Sequence, residues 1–136
     1  MSSKYLDEIL KLPVQTNMRL EPPTVSASEP VSSVVDKMVK GNIGAVVIME
    51  ESNLVGMITE KDVLERVVKT GKDLGTTLAR DVMSKPIISI EADRPMKEAL
   101  DLMRKNNIRR IAVTKDRALI GLVTERRLLE VAFLIT

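Results

Sequence analysis

The chain contains neither cysteine nor histidine. Without cysteine it has no disulfide bonds and no thiol nucleophile, and without either residue it cannot build the zinc sites that Cys and His form together. The missing histidine also removes the side chain that most often serves as a general base near neutral pH. We therefore expect a protein that is not an enzyme and that requires no metal.

Aromatic residues are almost absent, since the sequence has a single tyrosine, Tyr5, and a single phenylalanine, Phe133. Base-stacking platforms for single-stranded nucleic acid are built from several aromatic rings. The 21 basic and 19 acidic residues leave a formal net charge of +2, which is too small to attract a polyanion strongly. Nucleic acid is therefore not the expected partner.

Long apolar runs are also missing from the sequence. No stretch approaches the ~18 apolar residues that a transmembrane helix needs, and the N-terminal residues lack the apolar core of a signal peptide. This pattern predicts a cytoplasmic protein that does not associate with membranes. The 136 residues, 44% of them hydrophobic and 29% charged, are typical of a globular chain with one continuous core.

The most informative feature that is present is an internal repeat. A shift of 65 positions aligns residues 24–66 with residues 89–131 without a gap, and 13 of the 43 aligned pairs are identical, where chance gives about three. The chain is therefore predicted to consist of an N-terminal helix over residues 1–12 and two copies of one unit, residues 13–71 and 78–136.

Within each copy the hydrophobic pattern predicts the order β-α-β-β-α. In the first copy Ser28 is the predicted cap of the first helix, with Pro30 in its first turn, and Thr59 is the predicted cap of the last helix. In the second copy Asp93 and Thr124 take the two capping positions. The predicted strands span residues 24–25, 45–49, 54–58, 87–90, 111–114 and 119–123.

This alternation of strands and helices predicts an α/β (α+β) fold, in which helices cover one side of each small sheet. One copy alone has too few residues for a stable core, so the two copies are expected to pack sheet to sheet around a central cleft. Leu6, Ile9 and Leu10 give the N-terminal helix an apolar face. We expect that face to cover an edge of the fold or to contact a neighbouring subunit.

Residues 13–136 resemble a pair of CBS domains, the module named after cystathionine β-synthase and also called a Bateman module. The resemblance rests on three features of the sequence. They are Asp81-Val82-Met83 leading into Pro86, the Asn-Ile step at 42–43 and 107–108, and the pattern Leu-x-Gly-x-x-Thr-Glu at 54–60 and 119–125. The motifs occur twice at the same offset and in the family's order of strands and helices.

Members of this family bind adenine-type ligands between the two copies and form disc-shaped dimers. The resemblance implies a regulatory module for energy or metabolite sensing, which binds AMP, ADP or ATP, with S-adenosylmethionine or NAD as alternatives. It also implies a homodimer and an unidentified regulated protein as partner. The alternative is a scaffold or oligomerisation module that keeps the fold without binding a ligand.

The stretch from Gly56 to Asp62 fits the pattern Gly-h-h-Thr/Ser-x-x-Asp of nucleotide-binding members. The resemblance implies that Asp62 binds the ribose hydroxyls and that Thr59 lies near phosphate. A carboxylate can accept two hydrogen bonds from a cis-diol, and a helix N-terminus offers free N–H groups to phosphate. Alternatively, Thr59 and Asp62 only cap the helix, which stabilises it by about 1 kcal/mol.

The second copy carries Arg127 at the position of Asp62, and a guanidinium cannot accept hydrogen bonds from a diol. One nucleotide per chain is therefore the prediction. The second copy also has Arg109 and Arg110 where the first has Gly44 and Ala45. The resemblance implies that basic side chains here reach the phosphates of the nucleotide held by Asp62. Neighbouring strand residues point to opposite faces, so at most one of the two faces the cleft.

The resemblance places the purine between the first strand and the start of the second strand of the first copy. The residues at these places are Thr24, Val25, Ile43, Gly44 and Ala45. Gly44 and Ala45 are small enough to admit a ring. Val25 and Ile43 have an alternative interpretation as ordinary core residues.

Overall fold

The computed structural model describes residues 3–134. In that range the chain forms five α-helices and seven β-strands, none of the helices being long and apolar enough to cross a bilayer. The elements are α1 (Ser3–Leu10), β1 (Arg19–Leu20), β2 (Thr24–Ser26), α2 (Val31–Gly41), β3 (Ala45–Glu50), β4 (Asn53–Thr59), α3 (Glu60–Val63), β5 (Ser89–Glu91), α4 (Met96–Asn106), β6 (Arg110–Lys115), β7 (Ala118–Thr124) and α5 (Glu125–Leu134). A turn of π-helix, Leu64–Val68, continues α3.

Two mixed sheets form the framework of the fold. One contains β2, β3 and β4 in that order, and the other contains β1, β7, β6 and β5. In each sheet a helix, α2 or α4, connects two parallel strands, and a hairpin adds the next strand in antiparallel orientation. The predicted mixture of helices and sheets, with the order β-α-β-β-α in each copy, is therefore confirmed.

The chain divides into two compact units whose boundaries do not coincide with those of the sequence repeat. The first-copy unit contains residues 22–87, and the second-copy unit contains residues 88–134 together with residues 3–21. The first residues of each predicted copy, together with the residues just before them, therefore pack in the unit of the other copy. The domain boundaries given by the repeat alone stay a prediction.

Each unit has its own apolar core. The core of the first-copy unit consists of Val25, Ala27, Val31, Val34, Met38, Val46, Ile48, Ile58, Val67, Ala79 and Val82. The core of the second-copy unit consists of Ile9, Val14, Ile90, Ala92, Met96, Ala99, Met103, Ile111, Val113, Val123, Leu128 and Val131. Ala79 and Val82 lie at the start of the predicted second copy, whereas Val14 lies at the start of the predicted first copy and Ile9 lies just before it. Each core is thus completed by residues at or just before the start of the other predicted copy.

The N-terminal helix α1 packs against α4 and α5. Its Ile9 is only 6% exposed and belongs to the core of the second-copy unit, while Leu6 and Leu10 are partly buried. The apolar face predicted from the sequence therefore covers part of the fold.

The first helix of the first copy does not begin as predicted, because Ser28 is not its cap. Pro30 is extended and occupies the position before the helix, and no side chain caps the helix there. The N–H of Val31 donates to the backbone carbonyl of Thr77 at 2.8 Å, so a distant segment satisfies it. The Ser28 hydroxyl instead lies 3.1 Å from the hydroxyl of Ser26.

The equivalent helix of the second copy departs from the prediction in the same way. Asp93 is not its cap, since Pro95 precedes α4 in extended conformation without any side-chain capping bond. The N–H of Met96 donates to the carbonyl of Leu12 at 2.8 Å. Both helix starts are therefore satisfied by backbone from the stretch that precedes the other copy.

Candidate functional site

Thr59 and Asp62 form a capping box at the start of α3. The N–H of Asp62 donates to Oγ1 of Thr59 at 3.3 Å, and the N–H of Thr59 donates to Oδ2 of Asp62 at 2.9 Å. The hydroxyl of Thr59 also lies within hydrogen-bonding distance of this Oδ2, at 3.1 Å. The capping interaction weighed in the sequence is therefore present, and the ribose role of Asp62 stays a prediction beside it.

The other carboxylate oxygen of Asp62 contacts residues that sequence reasoning missed. The hydroxyl of Ser84 donates to Oδ1 at 3.2 Å, and Nε of Arg66 lies 3.8 Å from the same atom. Arg66 follows Asp62 by one helical turn, a spacing at which opposite charges meet, so the sequence held a signal for it. Ser84 comes from a distant segment, and no local pattern points to it.

Asp62 is almost completely buried, with 9% of the residue exposed. A buried carboxylate is costly unless its oxygens are hydrogen-bonded or paired with a cation. The contacts from Thr59, Ser84 and Arg66 meet that requirement. The structure therefore holds this acid in a fixed orientation at the end of β4.

Gly44 and Ala45 lie directly beside the capping box. The N–H of Glu60 donates to the carbonyl of Gly44 at 3.0 Å, and Ala45 pairs with Thr59 across β3 and β4. The corner where β3 begins and β4 ends thus brings together four of the predicted site residues. Two of the first N–H groups of α3, those of Glu60 and Asp62, are already bonded, so fewer are free for phosphate than the sequence suggested.

Of the remaining predicted purine residues, Thr24 and Val25 lie on β2 and Ile43 lies directly before Gly44. Thr24 is exposed on β2 and pairs with Val47 of β3, so β3 separates it from β4. Val25 is 3% exposed and belongs to the apolar core, in agreement with its interpretation as a core residue. Ile43 is partly buried just before β3.

A surface pocket of about 400 Å³ opens between α2 and α3. Its lining is Val35, Met38, Val39, Asn42, Ile43, Gly44, Glu60, Val63 and Leu64. Two predicted site residues, Ile43 and Gly44, are part of this lining, whereas Thr59 and Asp62 are not. The pocket is therefore a groove on the helical face of the first-copy unit rather than the surroundings of the acid.

The second copy keeps only half of the capping box. The N–H of Arg127 donates to Oγ1 of Thr124 at 3.1 Å, but Arg127 has no acceptor to return the bond. Its guanidinium instead lies 3.8 Å from a carboxylate oxygen of Glu130. The helix start is thus preserved between the copies, while its carboxylate is replaced by a cation.

Arg109 and Arg110 stand at the same corner of the second-copy unit. The N–H of Glu125 donates to the carbonyl of Arg109 at 2.9 Å, and Arg110 pairs with Thr124. Because Ile111 points into the core, strand alternation places Arg110 on the opposite face of the sheet. Arg110 is partly buried and Arg109 is exposed. Neither guanidinium has a salt bridge to a carboxylate within residues 3–134.

The CBS domain family matches the chain twice, over residues 10–69 and over residues 79–133. The two matched segments correspond to the two copies of the repeat. An uncharacterized protein of Methanopyrus kandleri is 40% identical over 110 residues, which cover 79% of this chain and 56% of that protein. The chain thus spans little more than half the length of that relative.

Two further proteins are similar to most of the chain. The CBS domain-containing protein YhcV of Bacillus subtilis is 30% identical over 110 residues, covering 81% of this chain and 78% of that protein. The crystal structure of Hypoxic Response Protein I with two coordinated zinc ions has a TM-score of 0.78 at 25% identity, covering 87% of this chain and 97% of that chain. In the part of the present chain that the structure describes, no cluster of three or more Asp, Glu, His or Cys side chains is arranged to hold a metal.

Proposed function

Because the chain belongs to the CBS domain family, we propose that it is a regulatory module that binds an adenine nucleotide of the AMP, ADP or ATP type. The observation that carries the proposal is the oriented, nearly buried carboxylate of Asp62 beside the small residues Gly44 and Ala45. A carboxylate that accepts two hydrogen bonds is the group that suits the cis-diol of a ribose.

We assign the phosphate groups of the ligand to one of the two residues Arg109 and Arg110, because neighbouring strand residues point to opposite faces. Within residues 3–134 neither guanidinium has a salt bridge that an incoming phosphate would have to break. Arginine also forms bidentate hydrogen bonds with phosphate oxygens. Of the two, Arg110 is the better candidate for a ligand contact, because it is partly buried and lies on the sheet face opposite the core.

We expect that the second copy does not bind a nucleotide of its own. Arg127 cannot replace Asp62 as an acceptor for ribose hydroxyls. Arg109 and Arg110 also occupy the positions at which the first copy has the small residues Gly44 and Ala45. We therefore expect one nucleotide per chain.

The chain can regulate a partner protein if the ligand stabilises one conformation of the module and the partner binds that conformation preferentially.

We also propose that the chain forms a homodimer. Val39 and Leu64 are 75% and 60% exposed and line the same groove. Exposed apolar groups gathered in one groove favour association with another protein surface.

Thermal unfolding with a panel of ligands tests the proposed function. A ligand that binds only the native state must raise the unfolding temperature, by about 5–10 °C at a hundredfold excess over its Kd. We expect such a shift with AMP, ADP or ATP, and S-adenosylmethionine and NAD complete the panel. If none of the five ligands shifts the transition, the chain is a scaffold module and the proposal is wrong.

A further inference from the structure

The hydrogen bonds of the Asp62 carboxylate determine how a ligand can reach it. Each carboxylate oxygen has two lone pairs. Oδ2 lies within hydrogen-bonding distance of both the N–H and the hydroxyl of Thr59, so its capacity is used within the capping box. Oδ1 accepts one hydrogen bond, from Ser84. The guanidinium of Arg66, at 3.8 Å, is too far from Oδ1 for a hydrogen bond.

Only Oδ1 therefore has capacity left for a ligand, and it has one free lone pair. A diol that donates two hydrogen bonds needs two acceptor positions. The second position on Oδ1 is the one that the Ser84 hydroxyl occupies. A ligand that uses both positions must displace that hydroxyl from Asp62.

Ser84 is itself held by its backbone. It pairs with Met57, with its N–H donating at 2.9 Å and its carbonyl accepting at 3.1 Å. Arg66 also holds the backbone just before Ser84, because its Nη1 donates to the carbonyls of Val82 and Met83 at 2.8 and 3.1 Å. The Ser84 hydroxyl can thus leave Asp62 by side-chain rotation while the backbone stays paired.

The second-copy unit provides an internal control for the structural role of this hydroxyl. There the position of Ser84 is occupied by Arg19, which pairs with Leu122 of β7. The positions of Asp62 and Arg66 are occupied by Arg127 and Val131. The equivalent stretch therefore joins its sheet without any bond of the Ser84 to Asp62 type. Anchoring the stretch does not require the hydroxyl.

We propose that the Ser84 hydroxyl competes with the ligand for the Asp62 carboxylate, because it occupies the acceptor position that a ligand hydroxyl takes. This inference rests on the proposed function, since it concerns the same carboxylate. It makes Ser84 a residue that sets ligand affinity, and it couples occupancy of Asp62 to the side chain of a residue near the start of the predicted second copy.

The test compares nucleotide affinity in the full-length wild type, Ser84→Ala and Ser84→Thr by isothermal titration calorimetry with AMP, ADP and ATP. Removal of the hydroxyl frees the acceptor, so Ser84→Ala should bind about five- to tenfold more tightly. Ser84→Thr keeps a hydroxyl and should bind like the wild type. Ser52→Ala, in the exposed turn between β3 and β4, is the matched control and should also bind like the wild type.

The outcomes separate this inference from the proposed function. If the wild type binds and Ser84→Ala binds equally or more weakly, the hydroxyl has only a structural role and the inference is wrong, while the proposed function stands. If no variant binds any of the three nucleotides, both are wrong. Tighter binding by Ser84→Ala together with unchanged binding by Ser84→Thr supports the inference.

Discussion

At the scale of single residues, Asp62 contributes to stability as well as to the proposed site. Its replacement by alanine removes the return bond of the capping box and the bond from Ser84. We expect Asp62→Ala to lower the free energy of unfolding by about 1–3 kcal/mol. Glu65→Ala, which breaks only the exposed pair with Lys61, should cost about 0.5 kcal/mol or less. Urea unfolding measures both, and equal midpoints for the two variants would contradict this role.

At Gly56 the segment that contains Met83 and Ser84 comes close to the backbone of β4. A Cβ at this position would lie 2.6 Å from Sδ of Met83 and 2.9 Å from the carbonyl oxygen of Ser84. The backbone oxygen cannot move as a flexible side chain can. We therefore expect Gly56→Ala to destabilise the protein by about 1–3 kcal/mol in urea unfolding.

Gly75→Ala is the matched control, because its Cβ would approach only the Asp73 side chain, at 3.1 Å. Its effect should stay within about 0.5 kcal/mol. The interpretation fails if Gly56→Ala is as stable as this control.

At the scale of elements, the two kinds of helix start give opposite predictions for their hydroxyl residues. Thr59 caps α3 through its side chain, whereas α2 has no side-chain cap although Ser28 lies just before it. Thr59→Ala should therefore cost about 1 kcal/mol, and Ser28→Ala should cost close to nothing. Chemical denaturation of the two variants checks the difference, and a larger loss for Ser28→Ala would contradict the observed helix start.

The same contrast explains how much of the fold the sequence could predict. Strands, hairpins and the Thr59 cap depend on residues within a few positions of one another, and the repeat displays them twice. The sequence pattern predicts the wrong start for α2 because the first N–H of this helix donates to Thr77, far along the chain. The sequence does not predict the contact of Ser84 with Asp62 either, because these residues also come from distant segments. Local patterns predict local bonds, whereas bonds between distant segments require the fold.

At the scale of the whole molecule, the exchanged stretches determine which fragments can fold. A fragment of residues 22–87 keeps Thr77, Ala79 and Val82 with the first-copy unit, whereas a fragment of residues 13–71 lacks them. Both are small for an independent core. We expect the first to show more helical circular dichroism and a higher unfolding temperature. Equal behaviour of the two fragments would contradict the assignment of the units.

For the whole molecule, the proposed function predicts that the two copies together bind one nucleotide and not two. Only the first copy has the oriented carboxylate of Asp62, and the second has Arg127 in its place. Isothermal titration calorimetry of the full-length protein with AMP, ADP and ATP, in parallel with Asp62→Ala, measures this most directly. We predict a stoichiometry of one nucleotide per chain for the wild type and loss of binding for Asp62→Ala. Two nucleotides per chain, or unchanged binding by Asp62→Ala, would contradict it.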